Sequence, residues 1–161
     1  MKMFLKTILF SLLMISSSAF AQKGGWKDMT LLDGREMYID TTSIVRNGSE
    51  VTVWVKEVFT GTLAREAHVA KVEEAVKQLT PGKTKNWDKK WAKKYADFYY
   101  TISKRVYDCV NSRSRTLEAT DYNSKEKKIA KTMTVKDKKE WWLIDNSTIG
   151  DVIMFEVCDN Y

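Results

Sequence analysis

Histidine is almost missing from this sequence: His68 stands alone among 161 residues. A lone imidazole excludes multi-histidine metal centres, and the nearby Glu66, Glu73 and Glu74 have no second histidine at ligand spacing. His68 is therefore read as a solvent-facing helix residue, with no support as a haem ligand. Cysteine is scarce too. Cys109 and Cys158 are far apart, which excludes the close spacing of a redox-active pair. No glycine-rich phosphate loop and no nucleophile elbow occurs. The acids Asp33, Asp40, Asp108, Glu118 and Asp121 are plentiful, but no spacing pairs two of them as acid and base. Asp40, ahead of Thr41-Thr42-Ser43, reads as the stabiliser of a turn. The chain is expected not to be an enzyme and to need neither metal nor cofactor. No long apolar run follows residue 21, so no transmembrane helix is expected beyond it.

What is present begins with an export signal. Lys2 and Lys6 form a basic start, Phe4 to Ile15 is almost wholly apolar, and Ala19-Phe20-Ala21 is a small-x-small cleavage site. The apolar run, about ten residues, is too short to span a bilayer. Residues 1–21 are read as a signal peptide and 22–161 as a single domain. Export places both cysteines in an oxidising compartment, where an even count predicts a disulfide. No cysteine stands at the cleavage point, so the expectation is a periplasmic, secreted or surface protein without a lipoprotein anchor.

Charge adds a constraint on partners. The formal charge is +6; without Lys2 and Lys6, 25 basic residues face 21 acidic ones, a balance of +4. Lysines cluster between Lys83 and Lys94 and again between Lys125 and Lys139. Such runs are commonly solvated faces, and they also suit acidic polysaccharide, phosphate or lipid headgroups. For an exported chain, nucleic acid is not the expected partner.

Periodicity sets the layout. Glu36 to Asp40 reads as a strand, and Asn47-Gly48 is a hairpin turn between it and Val51–Phe59. Within Val51–Phe59, Val51, Val53 and Val55 alternate with Thr52, Trp54 and Lys56. Gln22 to Asp28 reads as a lead-in and Thr41 to Arg46 as a connector. The period then changes to helical over Leu63–Leu79, which Thr80-Pro81-Gly82 ends. A second helix, near Trp87–Tyr95, places Trp87, Trp91 and Tyr95 four apart on one face. Strands are expected at Phe98–Cys109, Arg115–Tyr122, Lys128–Val135 and Glu140–Ile144, as an antiparallel meander. A last helix carries Ile149, Val152, Ile153 and Val157, capped by Asp145, Ser147 or Thr148, with Cys158 in its final turn.

These residues have a familiar order. Tyr38-Ile39-Asp40-Thr41-Thr42-Ser43-Ile44, Arg46-Asn47-Gly48 and Val51–Val55, then Val106-Tyr107-Asp108-Cys109, Ser112-Arg113-Ser114-Arg115, Tyr122 and the closing Ile149-Gly150 to Val157-Cys158, resemble the bacterial surface-adhesin protein E family. The resemblance implies an α+β fold: an antiparallel sheet of about six strands, packed by a C-terminal helix that a disulfide ties to the sheet. It also implies an exported protein that binds host matrix proteins or a small ligand such as haem. The helical insertion at about residues 62–97 departs from the pattern, and adhesion is one use of the fold rather than a property of it.

The expected function is non-catalytic binding of a protein or other macromolecule at the envelope or outside; the second reading is a periplasmic carrier of a small ligand. The aromatic-basic insertion supplies the candidate binding residues Trp87, Lys90, Trp91 and Lys94. Tryptophan is a favoured contact residue, and lysines suit an anionic partner or a membrane surface. The alternative is that Trp87, Trp91 and Tyr95 bury against the sheet and leave the lysines in water.

Overall fold

The computed structural model describes residues 25–32, 34–79, 87–133 and 140–161. Residues 1–21, read from the sequence as a signal peptide, Asp33, Thr80-Pro81-Gly82 and the lysines between 134 and 139 lie outside them. The elements are β1 (Trp26–Leu32), β2 (Arg35–Asn47), β3 (Glu50–Phe59), α1 (Thr62–Leu79), α2 (Trp87–Tyr95), β4 (Phe98–Asp108), β5 (Arg113–Asn123), β6 (Lys128–Met133), β7 (Trp142–Leu143) and α3 (Ile149–Asp159). The strands form one antiparallel sheet in the order β1-β2-β3-β4-β5-β6, with β7 pairing the start of β5. This is the expected α+β meander with both insertion helices between β3 and β4.

Short turns pair β1 with β2, β2 with β3, β4 with β5 and β5 with β6, while β3 and β4 pair across the two-helix insertion. Gly48, at φ 60°, occupies the left-handed region that the β2–β3 hairpin requires. Two expectations are corrected here. Trp26–Leu32 is a strand paired to β2 rather than partly a lead-in, and Thr41–Arg46 continues β2 rather than linking two strands. Thr41–Ile44 form a bulge, since the register moves from Asp40↔Trp54 to Val45↔Thr52. Side chains satisfy the backbone there: Asp40 Oδ1 accepts from Thr42 N and Oγ1 (3.0 and 2.6 Å), and Ser43 Oγ accepts from Trp54 N (3.0 Å). Asp40 thus has the turn-stabilising role read from the sequence.

Alternation sorts the sheet into two faces. On one, Met37, Ile39, Val51, Val53, Val55 and Tyr107 pack with Ile153 and Val157 of α3. Further along the same face Phe59 and Phe98 pack with Trp91 and Tyr95 of α2, and with Val69, Val72 and Val76 of α1. Between the two cores Glu57 accepts from Arg35 (3.0 Å) and Arg105 (3.5 Å), while Arg105 Nε donates to Ser103 (3.0 Å). Burial opposes the Arg105 charge, but Tyr107 and Glu57 outweigh it and hold the guanidinium above its ordinary value.

The closing helix is fixed at both ends. Thr148 is its N-cap, accepting from Asp151 N, and Asp151 in turn accepts from Ser147 N (3.0 Å). At the other end the Arg46 guanidinium donates to the carbonyls of Val157, Cys158 and Tyr161. The predicted disulfide joins Cys109, just past β4, to Cys158 across 49 residues, with Cα atoms 5.8 Å apart. In the chain-entropy model, replacing both cysteines by serine removes about 4 kcal/mol of stability. Urea unfolding of the variant is expected to show that loss, with little further change on adding dithiothreitol, whereas dithiothreitol alone reproduces it in the parent.

Candidate functional site

Asp121, on β5, is wholly buried on the helix-covered face. A buried carboxylate must be compensated, and three elements supply the groups. Thr101 Oγ1 from β4 donates to Oδ1 (2.7 Å), Tyr95 Oη from α2 donates to Oδ2 (2.9 Å), and His68 Nε2 from α1 stands 3.4 Å from Oδ1. His68 is not the solvent-facing residue expected: its side chain is 21% exposed, and its ring stacks on Phe98 at 4.6 Å. The ring packs on Phe59 and Phe98, which holds its Nε2 near Asp121 without a hydrogen bond between them. Nearby, α1, Tyr95 and Phe98 border a cleft of about 500 Å³ lined by Arg65, Glu66, Val69 and Glu73, and His68 is not part of that lining. No group of three or more metal-type ligands occurs among the described residues.

The opposite face carries no helix among the described residues, and register assembles its side chains into cross-strand rows. One row runs Trp26, Asp40, Trp54, Lys104, Glu118 from β1 to β5. The next runs Asp28, Tyr38, Lys56, Ile102, Thr120, and a third Glu36, Val58, Tyr100, Tyr122. Five aromatic rings thus share this face, four of them half-buried and Tyr100 buried at 7% exposure. Tyr100 and Tyr122 stack at 4.9 Å, Lys56 Nζ lies 4.7 Å from the centre of the Tyr100 ring, and Lys104 Nζ lies 5.8 Å from that of Trp54. Trp26, Asp40, Trp54, Ile102, Thr120 and Tyr122 line a shallow groove of about 300 Å³. Trp26, Tyr38, Trp54 and Tyr122 are half-buried, while Val53, Val55 and Ser103 on the other face are buried.

The structure divides the sequence-predicted residues. Trp91 is buried, 7% exposed, and stacks on Tyr95 at 4.1 Å; Lys90 and Lys94 are exposed on the outside of α2. Trp87 begins α2, and its side chain lies outside the described residues. Trp91 therefore does not share an exposed surface with Lys90 and Lys94. Asp121, and the open-face rings of Trp26, Trp54 and Tyr122, were not singled out as site residues. The signal for Trp54 lay in the alternation of β3, and the rest appears only once strands are paired.

These features define a one-layer sheet protein, covered by helices on one side and open and aromatic on the other. A family model described as surface-adhesin protein E matches residues 26–159, and the chain belongs to that family. Among solved structures, it is similar to Haemophilus influenzae protein E at 12% identity, covering 85% of this chain and 86% of that one, with a TM-score of 0.46. A second crystal form of the same protein matches at 13% identity, covering 83% and 93%, with a TM-score of 0.42. The curated proteins contain no match.

Two measurements check the Asp121 cluster. Asp121→Ala strands the hydroxyls of Tyr95 and Thr101 and should cost about 3 kcal/mol or more in urea unfolding. Amide exchange should then show α1 and α2 losing protection before β3 and β4. The second is alkaline titration. Burial, and then the Asp121 charge and hydrogen bond, push the Tyr95 phenol far above its ordinary value, and the hydrogen bond to Glu36, with burial, raises Tyr38 to about 12. The unfolded chain ionises at the ordinary tyrosine value of 10.0 while these native phenols keep their protons. Stability from this source is complete below about pH 10 and falls as pH rises above it, which unfolding midpoints at graded pH will show.

Proposed function

We propose that this protein is an exported, non-catalytic binding protein that engages a macromolecular partner at the cell envelope or outside, using the helix-free face of its sheet. The observation that carries this reading is the aromatic face: the half-buried rings of Trp26, Tyr38, Trp54 and Tyr122, set by strand register around the buried Tyr100, above a core completed on the other side. Aromatic side chains supply large contact area at low entropy cost and are the residues on which binding energy concentrates. Family membership supports a surface adhesin-like role. The signal sequence at residues 1–21 and the disulfide support export, with residues 22–161 as the mature domain. Among the described residues no helix is long and apolar enough to cross a membrane.

A non-catalytic role is supported by where the titratable groups are used. His68 and Asp121, the nearest approach to a catalytic pair, hold α1 and α2 against the sheet. Lys90 and Lys94 form a second, auxiliary surface on α2, with Trp91 anchoring that helix from beneath.

Trp54→Ala is expected to abolish capture of partner from envelope and matrix fractions while leaving the far-UV circular dichroism and unfolding midpoint close to the parent. The double change Lys90→Ala and Lys94→Ala should weaken capture only modestly. Loss of capture in the lysine variant with full capture by the tryptophan variant would move the site to the helical insertion.

A further inference from the structure

The open face has an electrostatic peculiarity that points to the chemistry of its ligand. Most sheet cations described here are neutralised: Lys27 by Glu156, Arg35 and Arg105 by Glu57, Arg113 by Asp108, Arg115 by Glu50 and Lys131 by Glu118. Lys56 and Lys104 are not. Both are half-buried at the centre of the face, and among the described residues neither is in an ion pair: each lies over an aromatic ring, and Glu118, opposite Lys104, pairs with Lys131. A ring steers an ammonium group but leaves its charge uncancelled. Lys56 pairs with Ile102, two residues from Lys104, so the two lysines are diagonal neighbours across β3 and β4, a separation of about 7–8 Å along the backbone. The Lys56 ammonium leans toward Tyr100 and that of Lys104 toward Trp54, so each can meet a separate anionic group of one ligand.

We propose that the ligand is an acidic glycan, a sugar chain bearing sulfate or carboxylate groups, with such groups held at Lys56 and at Lys104. This rests on the reading that the open face is the binding surface. The groove beside the lysines favours a glycan over an acidic protein. Trp26, Trp54 and Tyr122 line it with flat rings on which the C–H faces of sugar rings stack, and Asp40 and Thr120 supply partners for hydroxyl groups. Asp40 stands in the same row as Lys104 with Trp54 between them, so the anionic groups belong over β3 and β4 and the neutral part of the sugar toward β1 and β2.

Calorimetric titration of the oxidised protein tests this with a heparin-derived hexasaccharide, its fully desulfated form and a neutral maltohexaose. The sulfated chain should bind with an affinity that falls as salt rises, and the other two should bind far more weakly. Lys56→Gln with Lys104→Gln should weaken binding about tenfold or more, the scale of one lost charge-assisted hydrogen bond. Lys90→Gln with Lys94→Gln removes the same charge from α2 and should change binding less than about threefold on the same scale. Equal losses in the two double variants would overturn the proposal by showing attraction to net charge alone, as would equal affinity for the desulfated chain. Absence of glycan binding also overturns it; if Trp54→Ala still abolishes partner capture, the open face remains the binding surface and only its ligand class is wrong. Capture that depends on Lys56 and Lys104 but is destroyed by protease treatment of the bait would assign an acidic protein instead.

Discussion

The architecture depends on one buried charge. A carboxylate with no exposure to water is costly unless every oxygen is met, and Asp121 is met from three directions. Thr101 belongs to the sheet, but Tyr95 and His68 sit on the two insertion helices. Those helices carry many lysines and glutamates, and their apolar contact with the sheet is the limited set around Phe59 and Phe98. The carboxylate turns that contact into a defined docking position. It also decides the asymmetry of the molecule: with α1 and α2 bound beside α3 on one side of the sheet, the other side is left to solvent.

Local features of the fold were legible and distant ones were not. The β2–β3 hairpin follows from Asn47-Gly48, and the burial of Trp91 and Tyr95 agrees with their four-residue spacing, because each signal lies within a few residues. Strand β1 was read partly as a lead-in because Trp26–Leu32 lacks strict alternation; it is a strand by virtue of its pairing to β2. The β2 bulge escaped notice for a similar reason, since Thr41-Thr42-Ser43 suits a loop unless Asp40 and Trp54 are known to hold it. His68 was misjudged because its partner is 53 positions away. The open face was half legible: Val51–Phe59 showed which side chains alternate, but only register brings Trp54 beside Asp40 and Lys104.

Placing ionic and aromatic groups on opposite sides of one sheet separates two tasks. On the covered side, the half-buried Glu57 and Arg105 pair between two hydrophobic cores, and removing either leaves the other's charge without its partner. On the open side, Lys104 lies over Trp54 and Lys56 over Tyr100. A change there alters what the surface offers without disturbing how the chain packs. In a family whose members share a fold, that division lets the sheet persist while its outward chemistry is rewritten.

The disulfide closes a ring of chain that contains β5, β6, β7 and all but the end of α3. Any single peptide bond between residues 109 and 158 can therefore be cut without releasing a fragment, because both pieces remain on the same covalent frame. Outside the cell, where proteases are met more often than refolding machinery, a nicked molecule would migrate as one species until reduced.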